Sequence, residues 1–508
     1  MKAQEHRAIG DAAAGGARVS LGHGSLHGGL TLGFGDVVAL TGDYFLPDSR
    51  PAVLDPDGAG PGPEVFASGG LFWLATVPGG QGTVLGSRDE IIGALKVMAA
   101  DQGIADSRFE PGGEFADYRF SPSAAETDVE RRVRDRFLAL GASNDDHFVS
   151  PGGRGPTTAD DRPAARFGSA RRAYRQLHEV ALDRAHRLGR DGGDLGEAMA
   201  REAAAQHYLT DAFAAGHLRT PVAAIREFWQ RRYPAFWESL RRKVAGDTAR
   251  ALKDLAWPFK LVSDRTLYHR ALVAAELRTK GYPRISFGDL LAKVFHDWDN
   301  IHGLEVEGGG WVFGDGCLDQ GITKDLALSA ARAGIDEVEV AFRLGASGSS
   351  RPGESLYRAV RQATGASDDA YAAEGWIARP SEDNPPQNWQ AADFDALWVS
   401  PIVGSTGPTV GQAVAEALEA GEELPRRLDC LGRGFGSALS VSGLPRLERW
   451  LGRQACQAYH RGFLDGLVQD PKATVQAVIH GAEDAGDGRP AATVVTSRNC
   501  ETGLFEHL

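Results

Sequence analysis

The stretch 194–215 (DLGEAMAREAAAQHYLTDAFAA) constrains the fold most. It is the strongest helical segment in the chain, rich in Ala and free of Pro. Asp194 is placed to cap its start, with Glu197 completing a capping box, and Gly216 is placed to stop it. Apolar residues at helical spacing recur on both sides. Residues 168–189 put Tyr174, Leu177, Val180, Ala181 and Leu188 on one face. Further helices are predicted at 88–101, 126–141, 221–246, 263–279, 286–296, 322–342, 354–364, 410–421 and 443–467, and a hairpin at 302–317.

The fold class expected is therefore mainly α, a multi-helix bundle with Gly-rich loops and little β. Glycine-spaced residues 18–46 precede a Pro-, Gly- and Asp-rich insertion over the core at about 47–140. The stretch 344–353 (LGASGSSRPG) reads as a linker. It separates a helical domain, 1–343, from a C-terminal helical region, 354–508, whose role the residues do not specify.

The 22 Phe, 10 Tyr and 10 Trp among 508 residues are ample core material and exclude disorder over most of the length. A net charge of −13 argues against general affinity for duplex DNA. No apolar run approaches the roughly 20 residues of a membrane span. The residues following Met1 show no apolar secretory core, so the expected location is cytoplasmic, or outside the cell by a signal-independent route. Cys317, Cys430, Cys456 and Cys500 are widely spaced and read as packing residues rather than a disulfide scaffold or zinc finger.

Chemistry concentrates in His207-Tyr-Leu-Thr-Asp211-Ala-Phe-Ala-Ala-Gly-His217. His207 and Asp211, four apart on a helix, share a face, and His217 follows the expected stop. Imidazole nitrogen and carboxylate oxygen suit divalent metals, and a carboxylate can bridge two ions. The neighbours Ala203, Ala204, Ala205, Leu209, Phe213 and Ala214 make this face apolar, so the pair needs partners to offset desolvation. Weaker pieces are Asn144-Asp145-Asp146-His147-Phe148-Val149-Ser150-Pro151, His296-Asp297-Trp298-Asp299-Asn300, and Glu5-His6 with Gly42-Asp43-Tyr44-Phe45 further on.

Together these pieces resemble the zinc-dependent phospholipase C and single-strand-specific nuclease superfamily, closest to its bacterial and fungal phosphatidylcholine-hydrolysing branch. The likeness spans about residues 1–320, thinly over 47–140, and only the 207–217 motif is specific. It implies a helical bundle around two or three zinc ions, with His6, Asp43, His147, His207, Asp211, His217, His296 and Asn300 as ligands. It implies phospholipase C activity at a membrane surface, giving diacylglycerol and a phosphorylated head group. Asp43, or one of Asp145 and Asp146 with Asp146 preferred, is the candidate for orienting the nucleophile or taking its proton.

Three departures stand out. The family's mature chains begin with a zinc-binding Trp that is not seen here, so either His6 belongs to an altered site or one zinc is absent. Asn300 replaces a carboxylate, with Asp297 and Asp299 as substitutes. Some ninety extra residues separate Asp43 from His147. His23 and His27 rival His6 as the early ligand. His178 and His186 read as helix-contact or solvent residues, the Arg231, Arg232, Arg241 and Arg242 runs as a solvated face, and Asp315 as a hairpin turn residue. Tyr44, Phe45, Phe148 and Tyr208 are candidates for an acyl-chain entrance or a choline cage. The alternatives are a single-strand nuclease or 3′-nucleotidase of the same superfamily, and a non-catalytic zinc-binding interaction protein.

Overall fold

The computed structural model describes residues 2–21, 30–47, 72–74, 84–85, 88–101, 107–109, 113–115, 129–130, 133, 137, 145–149, 169–255, 260–279, 284–348, 355–367, 369–382, 387–403, 407–419, 454 and 457–486. Among these the chain is mainly α, 70% helical, with little strand. It divides into two units, each assembled from separated stretches. The first comprises Met1–Thr157, Pro163–Pro221 and Asp299–Asn384, and the second Thr158–Arg162, Val222–Trp298 and Pro385–Leu508.

In the first unit, α1 (Ala3–Ala13) buries Ala3, His6, Ile9 and Gly10, the spacing of one helical face. It packs on α2 (Phe34–Leu40), all of whose residues are buried. The two backbones approach closely at glycine: a Cβ on Gly10 would sit 2.9 Å from the Gly35 Cα, and one on Gly35 only 2.2 Å from the Arg7 carbonyl oxygen. Strands β1 (Arg18–Ser20) and β2 (Thr31–Gly33) join the two helices as an antiparallel pair, with Val19 opposite Leu32. Then β3 (Leu46–Pro47), β4 (Phe72–Leu74) and β5 (Val84–Leu85) form a small antiparallel sheet.

Helix α3 (Arg88–Asp101) falls where expected, but it is not peripheral. Ile91, Ile92, Leu95 and Met98 join the same apolar core as α2, so the segment read as an insertion supplies core as well. Of the helix expected at 126–141, only 129–130, 133 and 137 are described.

The centre of this unit is α4 (Ala170–Asp191), α5 (Gly196–Asp211) and α7 (Thr323–Ser347), with the short α6 (Ala215–Arg219) after α5 and α8 (Leu356–Thr364) after α7. Ser169 caps α4 by accepting the Arg172 N–H, and Gly192 ends it in the left-handed conformation. Helix α5 differs from expectation at both ends. Its N-cap is Leu195, without a side-chain bond, while Glu197 pairs with Arg184 and Arg201 instead of closing a capping box. It stops at Asp211, and Gly216 lies inside α6. Leu344–Ser347, read as the start of a linker, complete α7. Gly345 is there for packing, since a Cβ on it would lie 2.0 Å from the His186 carbonyl oxygen. The expected hairpin is β6 (Leu304–Glu305) with β7 (Trp311–Val312). It turns through Gly308–Gly310, while Asp315 lies beyond it at φ 43°.

The second unit holds the helices Val222–Arg232, Phe236–Leu255, Asp264–Thr279, Pro471–Gly486 and most of Phe287–His302. The helix expected at 221–246 is interrupted at 233–235, where Pro234 removes a donor. Trp229 stacks on Tyr233 and meets Phe287 edge-on, and Phe287 in turn meets Phe394. Arg231 pairs with Glu227, and Arg241 and Arg242 with Glu238, along their own helices. No helix among the described residues is long and apolar enough to cross a membrane.

A buried ionic contact ties α4, α5 and α7 together. His178 lies between Glu202, 2.6 Å from its Nδ1, and Glu337, 3.3 Å from its Nε2, and all three are fully buried. Burial pulls the His178 pKa down, but the charge and hydrogen bonds of Glu202 and Glu337 outweigh it and push it up to about 10. A raised histidine stabilises the fold fully below its unfolded value near 6.5. That contribution is lost as pH rises through about 10. His178→Leu leaves two buried carboxylates facing each other, and a loss of about 3–5 kcal/mol is expected in denaturant unfolding at pH 7. The gap between variant and wild type should narrow between pH 7 and 10; a pH-independent difference would contradict the ionic account.

Candidate metal centre

Asp211, the last residue of α5, sits at the centre of four imidazoles delivered by four separate stretches of chain. Its Oδ2 lies 2.7 Å from His147 Nδ1 and 3.3 Å from His207 Nε2. Its Oδ1 lies 3.3 Å from His6 Nε2 and 3.4 Å from His217 Nδ1. His6 comes from the core-facing side of α1, His147 from a 3₁₀ turn (Asp145–His147), His207 from one turn earlier on α5, and His217 from α6. None of the five side chains is more than 6% exposed.

One nitrogen of each of two rings is anchored, in His207 the one turned away from Asp211 and in His217 the one nearest it. His207 Nδ1 donates to the Val38 carbonyl of α2 at 3.0 Å, and His217 Nδ1 to the His147 carbonyl at 2.9 Å. A carbonyl only accepts, so these bonds assign the proton to Nδ1 and leave Nε2 with a lone pair. In His207 that lone pair points at Asp211 and His147. Ligating histidines are commonly held by their other nitrogen in this way.

Within the first unit two triads have one ligand atom per residue within 4.8 Å of each other: His6, His207 and Asp211, and Asp43, His147 and His207. They share His207. Ligands about 2.1 Å from a tetrahedral ion stand roughly 3.4 Å apart. The His6–Asp211 and His207–Asp211 separations of 3.3 Å have that scale. His6 Nε2 is buried and makes no hydrogen bond among the described residues. The donor set therefore fits a metal ion, and the geometry does not specify which metal.

Gly42 forms one wall of the centre. Its φ is 79°, and a Cβ there would lie 2.4 Å from His207 Nε2 and 2.9 Å from His147 Cε1. The sequence marks the position only as the glycine before Asp43. Thr210, inside the 207–217 motif, was likewise not singled out; its Oγ1 holds His6 Nδ1 at 2.7 Å.

Electrostatics divide the carboxylates. Burial pushes Asp43 up to about 6, with His147 opposing and Asp211 adding to the rise. Burial also works upward on Asp211, but surrounding positive charge holds it well below the usual range. Burial, then His6, drives His207 well below its ordinary value. For His147 burial works downward, and the charge and hydrogen bond of Asp211 raise it overall, with Asp43 and Asp146 contributing.

Asp146, Asn300 and His296 lie outside those two triads. Asp146 is buried beside His147. Asn300 is fully buried, and its Oδ1 accepts the Gly216 N–H at 2.7 Å. Asp299 makes a two-pronged buried pair with Arg219. These two residues fix α6, which carries His217. In the second unit, His296 Nδ1 lies 2.8 Å from Asp297, which also pairs with Lys293. Tyr44, Phe45, Phe148 and Tyr208 are all buried, Phe148 stacked on His217 and Tyr208 edge-on to His147 and His207. Phe148 and Tyr208 pack against the centre, while Tyr44 and Phe45 belong to the apolar core of the first unit, so none of the four is exposed as an entrance would require. His178 is the buried ionic residue described above, while His23 and His27 lie outside the described residues.

No family model, no curated protein and no solved structure matches the chain.

Gly42→Ala should displace His207 and weaken metal binding by roughly tenfold or more, the cost of a forced contact at positive φ and a misplaced ligand. Chelator competition measures it, and wild-type affinity would contradict the placement of Gly42. Asp43 gives a pH signature. Its folded pKa lies above the unfolded 3.8, so in metal-free protein it costs stability increasingly as pH rises from about 4 to 6. Asp43→Asn should therefore be the more stable metal-free protein above pH 6, by thermal unfolding, while binding metal more weakly.

Proposed function

We propose that this chain is a zinc-dependent phosphodiester hydrolase of the phospholipase C type. Its expected substrate is a phosphatidylcholine-like phospholipid, cleaved on the glycerol side of the phosphodiester. The observation that carries the metal-dependent part is the buried Asp211 carboxylate ringed by His6, His147, His207 and His217. The lipid part rests on the likeness of the 207–217 motif to the phosphatidylcholine-hydrolysing branch, and the net charge of −13 favours it over a polyanionic nucleic-acid substrate.

In this reading His6, Asp43, His147, His207, Asp211 and His217 hold the metal. Bound zinc supplies positive charge for phosphoryl oxygens and brings the pKa of water towards neutrality. Asp211 needs no proton displaced before it can act as a ligand, since surrounding positive charge holds its carboxyl well below the usual range. Asp43, grouped with His147 and His207, is the carboxylate placed to take the proton of the attacking water. Asp146 adds negative charge beside His147. The Val38 and His147 carbonyls hold the rings of His207 and His217.

The test is zinc per chain by inductively coupled plasma mass spectrometry on wild type and Asp211→Asn, followed by assays on phosphatidylcholine vesicles, bis-p-nitrophenyl phosphate and single-stranded DNA. Wild type should hold at least two zinc ions and release diacylglycerol. Asp211→Asn should hold fewer and lose activity by roughly a hundredfold or more, beyond the loss caused by outer-shell changes. Preferential cleavage of single-stranded DNA would move the assignment to the nuclease branch. Zinc binding without turnover of any of the three would support a non-catalytic protein, and no bound zinc would sink the hydrolase reading.

A further inference from the structure

We propose that Thr210 is a positioning residue that decides which nitrogen of His6 faces Asp211. The proposal rests on the metal-centre reading above and concerns a residue outside the ligand set. Thr210 is fully buried on α5, between His207 and Asp211 in the sequence. Its hydroxyl has one proton to give. Oγ1 stands 2.7 Å from the Gln206 carbonyl and 2.9 Å from that of His207. Both are pure acceptors, so the hydroxyl proton goes to one of them.

His6 Nδ1 lies 2.7 Å from the same oxygen. With its proton committed, the hydroxyl receives a hydrogen bond there, and Nδ1–H is the donor. Nε2 then presents its lone pair to Asp211 Oδ1, 3.3 Å away and without a hydrogen bond. A buried lone pair facing a buried carboxylate is repulsive, and a cation between them relieves it. The opposite tautomer would place N–H on Nε2. That hydrogen would pair with Asp211 and take both groups out of the ligand set. The threonine hydroxyl thus keeps His6 in its ligating form.

The hydroxyl is itself held in place. Gln206, whose carbonyl it meets, donates from its side chain to Glu202 Oε1 at 3.1 Å and to the Ala331 carbonyl of α7 at 2.8 Å. The His6 ring lies against that of His207, centroids 4.3 Å apart and tilted 31°. These contacts fix the ring plane, and Thr210 selects the nitrogen.

The experiment compares full-length wild type, Thr210→Val and Thr210→Ser. Valine keeps the shape and removes the hydroxyl, while serine restores it. Zinc affinity is read by chelator competition, and the His6 tautomer by ¹⁵N NMR of histidine-labelled, metal-free protein, assigned with His6→Gln. Wild type should show Nδ1–H on His6. Thr210→Val should switch it to Nε2–H and weaken zinc binding about 10–100-fold, the range for loss of an outer-shell partner. Thr210→Ser should restore both. An Nε2–H tautomer in wild type overturns the proposal, and this readout does not depend on the valine variant folding. Wild-type zinc affinity and tautomer in a folded Thr210→Val also overturn it. A wild type that binds no zinc but shows Nδ1–H would defeat the metal reading while leaving the hold of Thr210 on His6 intact.

Discussion

A carboxylate removed from water must be compensated, and in this protein Asp211 is that carboxylate. Isolated burial of such a charge is costly enough that it either takes a proton or gathers partners. Asp211 gathers four imidazoles, and surrounding positive charge holds its carboxyl well below the usual range. The arrangement of the first unit follows from the need to deliver those rings. Helix α1 brings His6, the turn at Asp145–His147 brings His147, α5 carries His207, and α6 turns back with His217. His6 and His207 are then held from behind, by a threonine hydroxyl and a carbonyl, while His217 is tied to the His147 carbonyl by the nitrogen nearest Asp211.

Glycine makes this convergence possible. At Gly10 and Gly35 it lets α1 and α2 approach closely enough for His6 and the Val38 carbonyl to reach α5 from neighbouring helices. At Gly42 it leaves the centre open where any side chain would collide with His207. At Gly345 it allows α7 to lie against α4, the contact beside which His178 bridges Glu202 and Glu337. A glycine in a sequence reads first as a loop or a linker, and in these places it marks a close approach instead. The centre and the His178 contact lie on the same helix, α5, and one row of side chains on it, Glu202, Gln206 and Thr210, connects them.

The helical character was legible wherever apolar spacing was long and regular, as in α3, α4 and α7. It was not legible in α1 and α2. The former is built of small and charged residues whose apolar face is formed by Ala, Ile and Gly, and the latter is too short and too uniformly buried to show a period. The aromatic residues near the motifs suggested an entrance because residue type alone does not reveal burial. Asn300 suggested a ligand because its place in the motif is a ligand's place in the family it resembles. In the fold its oxygen receives the Gly216 N–H, so the residue also orients α6.

What the sequence determined by itself was the local part: helices with enough repeats to show a face, and the His207–Asp211 pair, because four residues along a helix put both side chains on one side. The conclusion that such a pair needs partners also followed from the apolar residues around it. Only the tertiary structure decided which partners they are. His6 and Asp211 are 205 positions apart in the chain, Val38 and His207 are 169 apart, and no local rule relates residues at such distances. Packing alone determines which imidazole nitrogen faces the carboxylate and which is tied to a carbonyl or hydroxyl. That choice separates a site able to hold a metal from a buried polar pair.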